Sequence, residues 1–464
     1  MTAALTLQGC ALQPSYVAPD TNVEGTRLLL AESRGADQLS IAPAWWLALG
    51  DPAVDLMVAY ALRDNPTLGR AIAMLDQARA EARTGRAGHL PMLDITGSNT
   101  RERTQPLSKP AGNGQTAGKA ELALVWEADL FGRVRNTAAA SKYRLDSRNA
   151  EAEAIRLSVI AEVADTVISL RACRYSDKVL SADIASRETD LALIRQRRNA
   201  GFAADVDVAL SETGLEAART ALYLRRQECA GLVSTLVLLS GLPGQVVVDA
   251  LAASPEQLPV PRLPETLPAD VLINSPGVVA AERNVAAAWA DIAVARAERM
   301  PRLDLKAALS GQWISALGSV TDSSQGGIGL GLTLPVFDGG RGAAAVSASQ
   351  ARYRGAVADL DAALRQAARD TENAMSANLS ARSRQVSAQR ALSAASQTLT
   401  ARTAQWQAGT ISQLEVEDAR RQYAAAQDSL IAASRDAAQS WIALVRATGM
   451  NPPITPHISE SRSK

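Results

Sequence analysis

The chain is written twice. Asn65-Pro66 opens one half and Ser275-Pro276 the other. Leu90-Pro91-Met92-Leu93-Asp94 answers Met300-Pro301-Arg302-Leu303-Asp304, and Tyr143-Arg144 answers Tyr353-Arg354 at the same spacing. Phe131-Gly132-Arg133 answers Phe337-Asp338-Gly339-Gly340-Arg341. Further on, Ala200-Gly201-Phe202 matches Ala408-Gly409-Thr410, and Ser240-Gly241-Leu242-Pro243 matches Thr448-Gly449-Met450-Asn451. A duplication that keeps step at so many turn residues comes from copying one supersecondary unit. The 464 residues therefore form one architecture of two similar halves, not a string of unrelated domains.

Composition narrows what that unit is. Lys+Arg and Asp+Glu are both 48, so no net positive charge is available to attract nucleic acid or an anionic membrane surface. Aromatic residues are 4 %, thin for an enzyme with a compact core. Alanine abounds, and it favours long helices that pack backbone close to backbone. No stretch approaches the roughly 20 apolar residues of a spanning helix. A membrane crossing would therefore need a closed β-barrel, the other structure that satisfies its own backbone in lipid. Cys173 and Cys229 fall in helical patterns and are expected as small core residues. His89 and His457 have no Cys or His at ligand spacing, which argues against a zinc site.

Each half opens with a helix, residues 67–88 and 277–299. In the second half a strand follows, with Leu303, Leu305, Ala307, Leu309, Gly311 and Trp313 alternating with Asp304, Lys306, Ala308, Ser310 and Gln312. Its first-half match, Leu93, Ile95 and Gly97 against Asp94, Thr96 and Ser98, is weaker. A polar loop is expected next, over 103–119 and 315–327. A second strand then returns, carrying Leu122, Leu124, Trp126, Ala128 and Leu130 in one half and Ile328, Leu330, Leu332, Leu334 and Val336 in the other. Each strand has about the length that crosses a bilayer when tilted. Alternation alone leaves a soluble hairpin with one buried face equally open.

The next segments weigh against that soluble hairpin. Residues 133–200 and 341–408 hold no proline and few glycines, and a helix of about 68 residues would run roughly 100 Å. Each reaches a short turn, and a second helix returns to Gly241 or Gly449. Apolar residues at three- and four-residue spacing make these coiled-coil-like hairpins. A proline-rich segment from Pro243 to Pro276 links the halves. One chain thus supplies four strands, whereas the smallest membrane barrels need about eight. A dimer would just reach that number in a barrel filled by side chains, and a trimer gives twelve strands and a lumen. The expected fold is mainly α with a membrane β-barrel: a trimeric twelve-stranded barrel continued by a long α-helical coiled-coil barrel.

At the strand-to-helix junctions stand Trp126-Glu127-Ala128-Asp129-Leu130-Phe131-Gly132-Arg133 and Leu334-Pro335-Val336-Phe337-Asp338-Gly339-Gly340-Arg341. Trp45-Trp46 and Gly50-Asp51-Pro52 precede the first repeat, and Asn65-Pro66 opens it. On these motifs the chain resembles the TolC/NodT family of outer-membrane efflux channels, over nearly everything from Cys10 to Asn451. The resemblance implies a homotrimer with a barrel in outer-membrane lipid, a periplasmic helical barrel, a periplasmic adaptor partner and, indirectly, an inner-membrane pump. It divides the chain into a residual signal peptide (1–9), an N-terminal lipoprotein arm and equatorial segment (10–64), a first repeat (65–242), an equatorial linker (243–274), a second repeat (275–450) and a tail (451–464). Leu7-Gln8-Gly9-Cys10 looks like a lipoprotein processing site with Cys10 as the acylated residue, although Gln8 stands where a small residue is usual. A free or buried cysteine is the other reading.

Residue by residue, the resemblance places a periplasmic gate of carboxylates at Asp207, Glu415 and Asp418, with Asp205 and Glu417 adding charge nearby. The plain alternative is a solvated acidic helix start, favoured by the helix dipole. Three-fold symmetry would bring like charges together and favour bound cations. Ile411 departs from relatives that carry a basic residue there. Gly201, Phe202, Gly409 and Thr410 mark the turns that meet the adaptor, although glycine there is also an ordinary helix C-cap. Phe131, Gly132, Phe337, Gly339 and Gly340 mark the junctions.

The expected function is a passive exit duct for small toxic compounds or drugs, with no cofactor and no metal. The runner-up is the outer channel of a type I protein secretion system. An enzyme is disfavoured by the lack of a P-loop, a GxSxG elbow or a His-centred triad. A soluble coiled-coil scaffold is disfavoured by the four strands.

Overall fold

The computed structural model describes residues 16–19, 44–104, 113–253, 270–316 and 319–449. Cys10, the expected signal peptide (1–9), residues 450–464 and much of the expected linker lie outside them. Helix α1 (Pro52–Asp64) is followed by α2 (Pro66–Ala87), β1 (Met92–Thr104), β2 (Asn113–Ala128), α3 (Arg133–Asn199) and α4 (Asp205–Ser240). Short helices α5 (Gly244–Ala252) and α6 (Asp270–Ile273) come next. The second half repeats the order as α7 (Pro276–Ala297), β3 (Arg302–Ala316), β4 (Ser319–Thr333), α8 (Arg341–Gln407) and α9 (Gln413–Thr448). Corresponding helices have 22, 67 and 36 residues in both halves.

The chain packs as two compact units. Of the described residues, the first comprises 16–19, 74–104, 113–149, 280–316 and 319–362. It contains one antiparallel sheet in the order β1-β2-β3-β4. Pairing sets Ile95, Leu122 and Leu309 in one row and Leu93, Leu124, Ala307 and Ile328 in another on the same face. Thr96, Glu121, Ser310 and Gln325 form a row on the opposite face, with Ser98, Lys119, Gln312 and Ser323 beyond it. One face is apolar and the other polar, as period-two alternation requires.

The expected loop at 315–327 is mostly strand. β3 runs to Ala316 and β4 starts at Ser319, pairing Ser323 with Gln312 and Gln325 with Ser310. The segment contains no proline, so each residue can join the ladder, and pairing overrides the weak strand propensity of glycine and serine. In the first half β2 likewise begins at Asn113, inside the expected loop. β4 stops at Thr333, before Pro335, which has no N–H to donate.

Of the described residues, the second unit comprises 44–73, 150–253, 270–279 and 363–449. Its core joins Trp45, Leu49, Val54, Met57 and Val58 to Ile160, Val163, Ile168 and Leu170 of α3, Leu236 of α4 and Trp441 and Val445 of α9. The Gly50-Asp51-Pro52 motif has a physical role here. Asp51 caps α1 by accepting from the Ala53 N–H at 2.9 Å, and its carboxylate pairs with the buried Arg171 guanidinium. Asn65 caps α2 through the Thr67 N–H and donates to the Leu239 carbonyl at 3.0 Å. Among the described residues no single helix is both long and apolar enough to cross a membrane. Cys173 and Cys229 are not separate core residues: they form a disulfide between α3 and α4.

Candidate functional site

Both hairpins end in the same turn. α3 closes at Gly201, φ 82°, with the Gly201 N–H bonded to the Arg198 carbonyl and the Phe202 N–H to the Arg197 carbonyl. α8 closes at Gly409, φ 76°, with Gly409 bonded to Trp406 and Thr410 to Gln405. This is a glycine C-cap in which the left-handed residue satisfies orphan carbonyls. The C-cap role of both glycines is therefore structural fact, whatever else the turns do. Phe202 is 77 % exposed, an apolar group that its own chain leaves in solvent. The Arg197 guanidinium lies 5.2 Å from the centroid of the Trp406 ring, joining the first hairpin to the second.

The carboxylates singled out by sequence sit just beyond these turns. Asp207 accepts from the Ala204 N–H at 3.0 Å, and Glu415 accepts from the Ser412 N–H at 3.0 Å. Each is thus the third residue of its helix reaching back to the N-cap, which satisfies an orphan donor. Glu415 also faces Arg402 at 3.6 Å, while Asp418 bonds Arg421 at 3.0 Å and Gln422 at 2.9 Å. Glu415 and Asp418 are exposed. Asp205, also exposed, pairs with Arg198 at 2.7 Å.

Glu417 departs from expectation. Instead of adding charge to the exposed group, its side chain is buried at 4 % exposure. It accepts from Arg187 of α3 at 2.6 Å and from Arg420 at 3.2 Å. Arg187 also bonds Asp183 at 2.7 Å, and Arg420 pairs with Asp190. Gly214 of α4 makes room for this cluster: a Cβ there would stand 2.8 Å from Arg187 Nη1. A helix-interior glycine costs roughly 1 kcal/mol relative to alanine, and at Gly214 the missing Cβ leaves the space that Arg187 occupies. Sequence reasoning passed over Arg187, Arg420 and Gly214, because their partners lie far along the chain. Gly214, one of two glycines within α4, was the one available signal.

The junction motifs lie in the first unit. Asp129 accepts from the Val134 and Arg135 N–H groups, and Arg133 forks onto Glu127. Asp338 accepts from the Gly340 and Gly342 N–H groups at 2.9 and 2.7 Å. These backbone bonds hold its carboxyl below the ordinary value. The acid of each motif thus caps a 67-residue helix, and Gly132, Gly339 and Gly340 turn the chain with positive φ. Phe131 is half-buried and Phe337 is 92 % exposed. Among the described residues no group of three His, Cys, Asp or Glu side chains is placed to hold a metal ion.

The model of the outer membrane efflux protein family matches residues 58–242 and 267–450, one repeat in each segment. The chain belongs to that family. Outer membrane protein OprJ of Pseudomonas aeruginosa is 30% identical, over 96% of this chain and 94% of its own length. The solvent efflux pump outer membrane protein SrpC of Pseudomonas putida is 29% identical, over 97% of both chains. Among solved structures, the outer-membrane channel OprN superposes with a TM-score of 0.83 at 26% identity, over 95% of this chain and 99% of that one. Members of this family are passive ducts, not enzymes. The hairpin ends and the junctions are accordingly read as parts of a conduit.

Proposed function

We infer that the chain is the outer-membrane exit duct of a tripartite efflux system, passively releasing small toxic compounds or drugs. The observation that carries this reading is the sheet. Its edge strands β1 and β4, of 13 and 15 residues, lack a second partner among the described residues. Two free edges on a sheet with one apolar face are satisfied in lipid only by closure. Three copies give twelve strands. The hairpin ends, with Phe202 and Thr410 at their turns, then meet a periplasmic adaptor, and the adaptor meets the pump. Cys10 is the proposed acylation site, and incorporation of labelled palmitate is its test.

Asp207, Glu415 and Asp418 form the proposed gate. Related by a three-fold axis, carboxylates that are exposed, as at Glu415 and Asp418, or half-buried, as at Asp207, repel one another and attract cations. Purified protein in planar bilayers should conduct, with block by divalent cations from the hairpin side. Glu415→Ala with Asp418→Ala should raise conductance and weaken that block. Unchanged conductance and block in the double variant would place the constriction elsewhere, whereas a wild-type protein that never conducts would sink the channel reading itself.

A further inference from the structure

Cys173 and Cys229 are joined across α3 and α4, with Cα atoms 5.7 Å apart. They lie at equal chain distances on either side of the turn residue Gly201, so two antiparallel helices of constant rise bring them level. The second hairpin is laid out in the same way. Ala381 and Ala437 stand at those distances from Gly409, and both are buried. The duplicated unit carries a covalent staple in one copy and two alanines in the other. The other links between α3 and α4 include Arg226 to Asp177 and Arg219 to Glu188, ion pairs with exposed arginines. Such pairs contribute little and their long side chains can follow a shift of one helix past the other. The disulfide cannot.

We propose that this pair is a maturation site: a protein dithiol oxidase of the cell envelope makes the staple, which fixes the register of α3 against α4 before chains assemble. The proposal rests on the envelope location read above, since disulfides persist in oxidising compartments. Cys173 is 2 % exposed and Cys229 is half-buried, so Cys229 is the approachable sulfur. Its thiolate attacks the oxidase disulfide, forming a mixed disulfide and releasing the second oxidase sulfur as thiolate. The Cys173 thiolate then attacks the Cys229 sulfur and expels the first oxidase sulfur. Two electrons pass to the oxidase, and its two released thiolates take up the two protons given up by Cys173 and Cys229, so the oxidase ends as a dithiol.

The second repeat supplies the control. Cys173→Ala with Cys229→Ala gives the first hairpin the pair that the second carries natively, keeping small side chains at the seam while removing the bond. The full chain is expressed in a Gram-negative host with and without its periplasmic dithiol oxidase. Thiols are counted with maleimide-polyethylene glycol after acid quenching, and assembled complex is measured in the envelope fraction. In the normal host, wild type should show two additional thiols only after reduction. Without the oxidase it should show them unreduced, with the yield of complex lowered several-fold. The double variant should give that lower yield in both hosts. Free thiols in the normal host, with complex in the envelope, overturn the staple and leave the channel reading standing. Full oxidation without the oxidase overturns the partner, and equal yields of reduced and oxidised wild type overturn the role in assembly. Recovery of the chain only from the cytosol overturns both readings.

Discussion

Glu417 and Asp418 are adjacent in the chain and opposite in environment. Asp418 faces solvent beside Arg421, while Glu417 is enclosed by Arg187, Arg420 and Gln413. Taking Arg187 from this cluster leaves Glu417 with Arg420 alone and takes from Asp183 its arginine, and breaking a buried pair in this way costs about 3–5 kcal/mol. Arg187→Met should therefore lower the unfolding free energy by that order, and adding Glu417→Met should restore much of it, as read by denaturant unfolding in detergent. Gly214→Val should cost about 1–3 kcal/mol, because the new side chain enters the space of Arg187. Asp165 provides a pH test. Burial raises its carboxyl pKa above the ordinary value, although a hydrogen bond from Gln439 and the charges of Arg446 and Arg435 act the other way. The folded state thus holds the proton more tightly than the unfolded one. This group's contribution to stability is full below the unfolded value of 3.8 and is lost as pH rises through the folded value. Asp165→Asn should unfold at a higher temperature than wild type at pH 7, with the gap closing as the pH is lowered below about 4.

At the scale of elements, the sequence already marked the long helices, because 133–199 and 341–407 lack proline and each ends at a glycine that takes positive φ. It also marked the apolar rows of β2 and β3. It did not mark the length of β4, where serines and glycines are held by pairing partners that no local window contains. Asp129 and Asp338 stood inside the quoted motifs, yet their capping role emerges only once the backbone N–H groups of Val134 and Gly342 are in place. The staple was readable in the sequence, since its cysteines are equidistant from the turn glycine Gly201, but reading each cysteine by its own helix made them separate core residues. Gly118 of β2 shows a similar dependence. A Cβ there would stand 2.0 Å from the Trp313 ring, which lies over the glycine from β3. Gly118→Val should displace that ring and weaken the β2–β3 pairing. The expected result is a lower temperature for the heat-induced gel shift of the folded sheet, with the helical circular dichroism signal little changed.

At the scale of the whole molecule, the sheet dictates how chains associate. Each chain offers one β1 edge and one β4 edge, so a head-to-tail contact between two copies joins one pair of edges and leaves two free. A third copy closes both remaining edges at once, forming two contacts for the loss of freedom of a single chain. In lipid or detergent the free edges of a dimer also leave backbone N–H and C=O groups without partners, at a cost of several kcal/mol for each unsatisfied group. Closure should therefore be cooperative. Native mass measurements across a denaturant series in detergent should show trimer giving way to monomer, with no range in which dimer accumulates. A stable dimer would mean that two copies, eight strands, already close the barrel, leaving side chains where the duct requires a lumen.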